Sequence, residues 1–220
     1  MRRFAISALM AQIPDFQFET RLFEQGARAV AGVDEVGRGP LAGPVTAAAV
    51  ILDPDAIPDG LNDSKKLTAA RRNTLAAAIH ACADVRIIHV PVEVIDEMNI
   101  LHASLFAMRE AITGLATRPD HALIDGNKLP PDLPCSATPI VKGDARSLSI
   151  AAASIVAKVA RDRIMVDLAQ QHPGYGWERN AGYPTSVHLK ALQDLGVTPY
   201  HRRSFKPVRN ILYQGKFSTD

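Results

Sequence analysis

Two apolar, β-branched runs, residues 29–36 (Ala-Val-Ala-Gly-Val-Asp-Glu-Val) and 45–52 (Val-Thr-Ala-Ala-Ala-Val-Ile-Leu), are separated only by residues 37–44, an interval rich in Gly and Pro. A parallel pair needs a crossover of roughly a dozen residues, usually helical, so this spacing selects an antiparallel hairpin. Pro and Asp residues then mark a loop to about residue 64. Thr68 caps a helix whose buried face carries Leu75, Ala78, Ile79 and Cys82. Val85–Val92 reads as a third strand, and the stripe Ile100, Leu101, Leu105, Met108 and Ile112 predicts one helix from about Val94 to Leu115. His121–Gly126 is a short strand ending on Asp125. Residues 129–134 hold three prolines and form a loop, and Ala137–Val141 is extended again. Ser147 or Ser149 starts the longest helix, to about Gln171, with Leu148, Ala152, Ile155, Val159 and Val166 facing inward. After an irregular stretch at 173–183, Thr185 or Ser186 caps the last clear helix. The order β-β-α-β-α-β-β-α-α implies an α/β fold: a mixed sheet flanked by helices, followed by a C-terminal helical region.

Composition narrows the class. Apolar residues at 47% and charged residues at 22% exclude disordered and collagen-like chains. Cys82 and Cys135 are too few for a zinc cluster or a disulfide scaffold, and they suit buried thiols in a reducing compartment. No run approaches the roughly 20 apolar residues of a membrane span. The opening Met1–Met10 imitates a signal peptide, but its apolar run soon meets Pro14 and Asp15 and no A-x-A site follows, so the expected location is cytoplasmic. Met10 offers an alternative start. The net charge of +2 is uneven: residues 1–140 carry 13 basic and 17 acidic side chains, and residues 141–220 carry 12 and 6. An acidic front and a basic back suit a protein that holds cations in one place and polyanions in another, although a merely solvated surface would read the same way.

Asp34 and Glu35 stand at the end of an apolar run, Asp125 ends another, and Asp144 follows a third through Lys142-Gly143. Carboxylates beside buried strands need partners, and convergent oxygen ligands of this kind call for Mg²⁺ or Mn²⁺. Taken singly, each acid reads rather as a helix cap or a turn residue beside glycine. Gly37-Arg38-Gly39-Pro40-Leu41-Ala42 matches a dinucleotide-binding pattern in letters only. A strand rather than a helix follows it, and the carboxylate pair before it would repel a pyrophosphate.

The run from Ala31 to Val45 (Ala-Gly-Val-Asp-Glu-Val-Gly-Arg-Gly-Pro-Leu-Ala-Gly-Pro-Val) resembles the signature of the ribonuclease HII family, the type 2 ribonucleases H. Further matches follow in the family's order: residues 62–67 (Asn-Asp-Ser-Lys-Lys-Leu), 124–127, 141–144, 150–162, 182–185 and 201–205. The resemblance implies a ribonuclease-H-like core with a C-terminal region closing over the substrate. It also implies an endonuclease that cleaves the RNA strand of RNA–DNA hybrids and nicks duplex DNA at embedded ribonucleotides, a task in ribonucleotide excision during DNA replication and repair. Asp34, Glu35, Asp125 and Asp144 fall on the family's four active-site carboxylates. Gly37, Arg38 and Gly39 fall on the loop that recognises the ribose 2′-hydroxyl, and Tyr183 on the tyrosine that packs against the sugar.

A two-cation mechanism agrees with the residues, since metals about 4 Å apart can activate water and stabilise the leaving 3′-oxygen. It leaves 3′-hydroxyl and 5′-phosphate ends. Lys65 and Lys142 lie near the expected site and suit phosphate contacts, as do Arg202, Arg203 and Lys206, unless these three form only a solvated basic run. His188, one turn into a helix, reads as surface or structural rather than catalytic. The expected division is an N-terminal extension (1–28), a catalytic core (29–172) and a substrate-covering helical region (173–220), acting as a monomer. The competing readings are a noncatalytic nucleic-acid-binding module, with structural acids, and a dinucleotide-dependent oxidoreductase.

Overall fold

A computed structural model describes residues 13–214, so the Met1–Met10 segment and the last six residues lie outside the described part. Strands β1 (Val30–Val36) and β2 (Val45–Leu52) form the expected antiparallel hairpin, with Ala31 opposite Ile51 and Glu35 opposite Ala47. β3 (Ala83–Val90) extends it antiparallel on the far side of β2. β4 (His121–Asp125) lies parallel to β1, and β5 (Ser136–Ile140) parallel to β4, giving the order β3-β2-β1-β4-β5. The hairpin therefore sits at the centre, and the sheet is mixed.

Strand alternation divides the core. Ala31, Val33, Ala47 and Ala49 pack against Ala103, Ala107 and Ala111 of α4 (Ile100–Thr113) on one face. Ala48 and Val50 meet α2 (Ala69–Cys82) and α5 (Leu148–Gln171) on the other. Alanine on both sides lets helix and sheet approach closely. The extreme case is Gly32, where an added Cβ would lie 2.1 Å from the Ser149 carbonyl carbon at the start of α5. Thr68, Ser147 and Thr185 cap α2, α5 and α7 (Ser186–Leu195) through their side chains, as their positions predict.

Five expectations need correction or extension. The helix expected over 94–115 is two, α3 (Val92–Met98) and α4. They are separated by Asn99, whose φ of 66° breaks the helix and whose side chain accepts from Leu101 N–H and His102 N–H to cap the next one. Val166 faces solvent at 40% exposure, on a 24-residue helix about 36 Å long that outruns the sheet it packs on. Both thiols are free, but half-buried rather than buried. The chain before the first motif holds α1 (Gln17–Glu24), whose Phe18, Leu22 and Phe23 pack on Val30, Leu123, Ile140 and Ile150. Beyond the short α6 (Trp177–Asn180) and α7, a last helix, α8 (Lys206–Gln214), extends the C-terminal region past the one read from sequence. No described helix is long and apolar enough to cross a membrane.

Candidate active site

The parallel register sets Val33 beside Ile124 and Asp125 beside Ile140, so the chain ends of β1, β4 and β5 emerge together. Asp34 and Glu35 start toward opposite faces of β1. At the strand end, one oxygen each from Asp34, Glu35 and Asp125 nevertheless lies within 4.8 Å of the others. Asp144 occupies a 3₁₀ turn (Gly143–Ala145) just beyond β5 and is buried. Asp125 Oδ1 accepts from Gly143 N–H at 2.6 Å, which ties that turn to β4. Asp34 Oδ1 accepts from Glu35 N–H at 2.7 Å. Lys65 Nζ reaches Asp144 Oδ2 at 3.3 Å. Its own 3₁₀ turn (Ser64–Lys66) is anchored to α5 by the Ser154–Ser64 hydroxyl pair and to α2 by Arg72, which donates to Ser64 O and Leu67 O. Lys142 is exposed and left-handed at φ 56°.

Asp34, Glu35 and Asp125 are costly to ionise. Burial, then repulsion from Glu35, Asp125 and Asp144, holds the Asp34 carboxyl well above the usual carboxylate range. Burial also raises Glu35, against the pull of Arg38 at 3.3 Å, and raises Asp125 against its bond from Gly143. Lys65 is lowered by burial, yet Asp144, Asp63 and Asp34 together leave it raised. Glu35 Oε2 is buried without a hydrogen-bond partner among the described residues. Converging oxygens, raised carboxyls and an orphaned acceptor are what a site for a hard divalent cation looks like when its own residues supply too little positive charge. The acidic cluster can hold metal.

The loop after β1 is clamped by two buried guanidinium groups. Arg202 donates to the carbonyls of Gly37, Arg38 and Gly43, and Arg161 to those of Ala42, Pro44 and Ala181. Gly37, at φ 91°, leaves room for the Arg161 side chain, which an added Cβ would meet at 2.2 Å. The same clamp brings Tyr183 to the loop: Leu41 N–H donates to Gly182 O, and a Cβ on Gly39 would lie 3.3 Å from the tyrosine ring. Tyr183 is 41% exposed, so its ring offers an open face beside the glycine.

Behind it, Trp177 Nε1 donates to His188 Nε2, leaving His188 Nδ1 to donate to Tyr183 O. Thr198 N–H donates to His201 Nδ1, and His201 Nε2 lies 3.1 Å from His188 Nε2. His188 is thus structural and fully buried, which removes the surface alternative that its position leaves open. Burial, then His188, lowers His201 to about 3.

The structure brings Asp34, Glu35, Asp125, Asp144 and Lys65 into one cluster, with Arg38 on its rim. Gly37, Gly39 and Tyr183 form a second cluster beside it. Arg202 does not belong to a phosphate-binding run: it is fully buried, with its donors on carbonyls. Arg161 was missed altogether. Its signal was a charged residue on the buried side of the long helix, four residues after Ala157 and four before Met165, both buried.

A mixed sheet, helices on both faces and acids gathered at the ends of its central strands define a hydrolase of the ribonuclease-H-like class. The family profile of ribonuclease HII matches residues 31–208, and a ribonuclease HII of Ruegeria pomeroyi is 67% identical over 201 residues, 91% of this chain and 86% of that protein. The chain belongs to the ribonuclease HII family. It is an enzyme of the ribonuclease H type, an endonuclease acting on the RNA strand of RNA–DNA hybrids. The crystal structure of ribonuclease H2 from Pyrococcus horikoshii superposes with a TM-score of 0.73 at 28% identity, covering 87% of this chain and all (100%) of that one. Bst-RNase HIII in complex with Mn²⁺ shares the fold, with a TM-score of 0.64 at 19% identity over 88% of this chain and 72% of that one.

Proposed function

We propose that Asp34, Glu35, Asp125 and Asp144 are the catalytic carboxylates and hold two divalent cations, Mn²⁺ or Mg²⁺. The chain would then cut RNA–DNA hybrids, and duplex DNA carrying single ribonucleotides, to 3′-hydroxyl and 5′-phosphate ends. The observation that carries this reading is the buried, unpartnered Glu35 Oε2 among carboxyls that burial and mutual repulsion raise. The fold relative that binds Mn²⁺ supports the choice of ion. Divalent cations, when bound, neutralise charge on the scissile phosphate and ease ionisation of the attacking water.

The chain's own residues do the rest. Asp34 and Asp125, on adjacent strands, are the central ligands, and Glu35 and Asp144 complete the set. Lys65 holds Asp144 and, with Lys142, draws the phosphate backbone toward the acids. The clamped loop presents main chain at Gly37 and Gly39 to the minor groove, where the 2′-hydroxyl separates RNA from DNA. Tyr183 packs against the sugar, and Arg38 steadies Glu35. In this reading residues 29–172 are the catalytic core, 173–220 cover the substrate, and 1–28 are an extension carrying α1. The protein works as a monomer in the cytoplasm, in the removal of ribonucleotides from DNA.

The test uses a labelled duplex with one ribonucleotide, incubated with the protein with and without EDTA. A nick at the ribonucleotide that EDTA abolishes is the expected result. Cleavage that survives EDTA removes the metal assignment.

A further inference from the structure

Glu19 of α1 is fully buried, far in sequence from every motif of the site. Its Oε1 accepts from Ser147 Oγ at 2.5 Å and from Ser149 N–H at 3.0 Å, the residues that cap and open α5. Ser147 N–H donates to Gly143 O at 2.8 Å, and Gly143 N–H donates to Asp125 Oδ1 at 2.6 Å. A continuous hydrogen-bonded path therefore runs from Glu19 to Asp125, and the turn bearing Asp144 is its middle section. The backbone repeats the tie: Asp15 N–H donates to Arg146 O, and Leu148 N–H donates to Asp15 O. The turn is held from two sides, by Asp125 toward the sheet and by Glu19 away from it.

We propose that Glu19 is a positioning residue that sets the Asp144 turn, and through it the spacing of Asp144 and Asp125, for cation binding. This rests on the reading of those two acids as metal ligands. Nothing in a bare helix-packing role requires a buried acid here, since Phe18, Leu22 and Phe23 already supply the apolar contact of α1. What Glu19 adds is one acceptor oxygen shared by two donors at the start of α5, which fixes where the turn ends.

The decisive measurement is Mn²⁺ binding by titration calorimetry on the folded full-length protein, alongside kcat and KM on a hybrid. Four proteins are compared: the natural chain, Glu19→Ala, Glu19→Gln and Ile79→Val. Loss of an outer partner of a metal ligand typically weakens affinity by about 10–100-fold, and Glu19→Ala should lie in that range with kcat reduced and KM little changed. Glu19→Gln, which keeps the acceptor oxygen, should recover most of the loss. Ile79→Val, a packing loss in a core cluster that does not include Glu19, should bind Mn²⁺ like the natural chain.

If Glu19→Ala does not fold, Glu19→Met, which keeps the side-chain bulk but has no acceptor oxygen, is read in its place. Unchanged Mn²⁺ affinity and turnover on breaking the link overturns the proposal, as does an equal loss in Ile79→Val or a failure of Glu19→Gln to recover. A natural chain that binds no Mn²⁺ overturns instead the metal reading beneath it.

Discussion

The acids at the sheet edge and the arginines behind the Gly37–Pro44 loop are both buried charge, yet they are treated in opposite ways. Arg161 and Arg202 direct their donors onto backbone carbonyls, so each cation is surrounded by acceptors. Burial still lowers them, Arg161 to about 10 and Arg202 to about 9, which leaves both charged at neutral pH. The carboxyls crowd one another, and Glu35 Oε2 has no partner. A satisfied buried charge holds the scaffold. A crowd of carboxyls with an unmatched oxygen among them stores an affinity for something outside the chain, unlike the isolated Glu19, whose Oε2 is also buried without a partner among the described residues.

The sharpest way to break this contrast is to neutralise one charge of each kind. Asp34→Asn or Asp125→Asn should lower hybrid cleavage on the order of 10³-fold or more, as loss of a central catalytic group does, while binding of the hybrid is largely kept. The same substitutions should leave the metal-free melting temperature unchanged or higher, because they relieve repulsion. Near-natural turnover in either variant would undo the assignment. Arg202→Met should do the reverse to stability, costing about 3 kcal/mol or more in denaturant unfolding as three carbonyls lose a charged donor. A melt like that of the natural protein would show that the clamp is dispensable.

The pH responses of the two regions also differ in sign. His201 is held neutral, with a folded value of about 3 against an ordinary 6.5. As pH falls below 6.5, the unfolded chain takes up a proton that the folded one refuses, so stability drops by up to about 1.4 kcal/mol per unit until pH approaches 3. Asp34, raised by burial and its neighbours, works the other way in metal-free protein: its contribution is largest below the ordinary carboxylate range and is lost as pH rises through its folded value. Melting curves from pH 7 to 5, with EDTA, should show the histidine effect. A pH dependence unchanged by His201→Gln would mean His201 titrates normally.

Smallest is Tyr183→Phe. Loss of one hydroxyl contact, about 1 kcal/mol, predicts a roughly fivefold fall confined to substrates with a single ribonucleotide. Equal behaviour on single-ribonucleotide and long-hybrid substrates would remove the tyrosine from recognition.

What the sequence showed and hid follows the same physics. The hairpin, the caps at Thr68, Ser147 and Thr185, and the acids at strand ends are local: spacing and neighbours suffice to read them. The break at Asn99 was hidden because the apolar stripe continues across it. Glu19, Arg161 and Arg202 were hidden because charge in a sequence reads as surface, and only the partners brought from 20 to 165 residues away make burial tolerable. The carboxylates stood out as a set, whereas the groups that hold them in place carried no local mark.

The close contact at Gly32 bears on how this protein can vary. The first turn of its longest helix rests on bare backbone two residues before Asp34, with no methyl group's width to spare. That clearance acts as a gauge between two halves of the proposed catalytic site, one strung along a strand and the other hung from a helix. Drift elsewhere in the core can be absorbed by repacking, but here even the smallest side chain would prise the halves apart. Attempts to rebuild or transplant this enzyme have to carry that glycine with the acids.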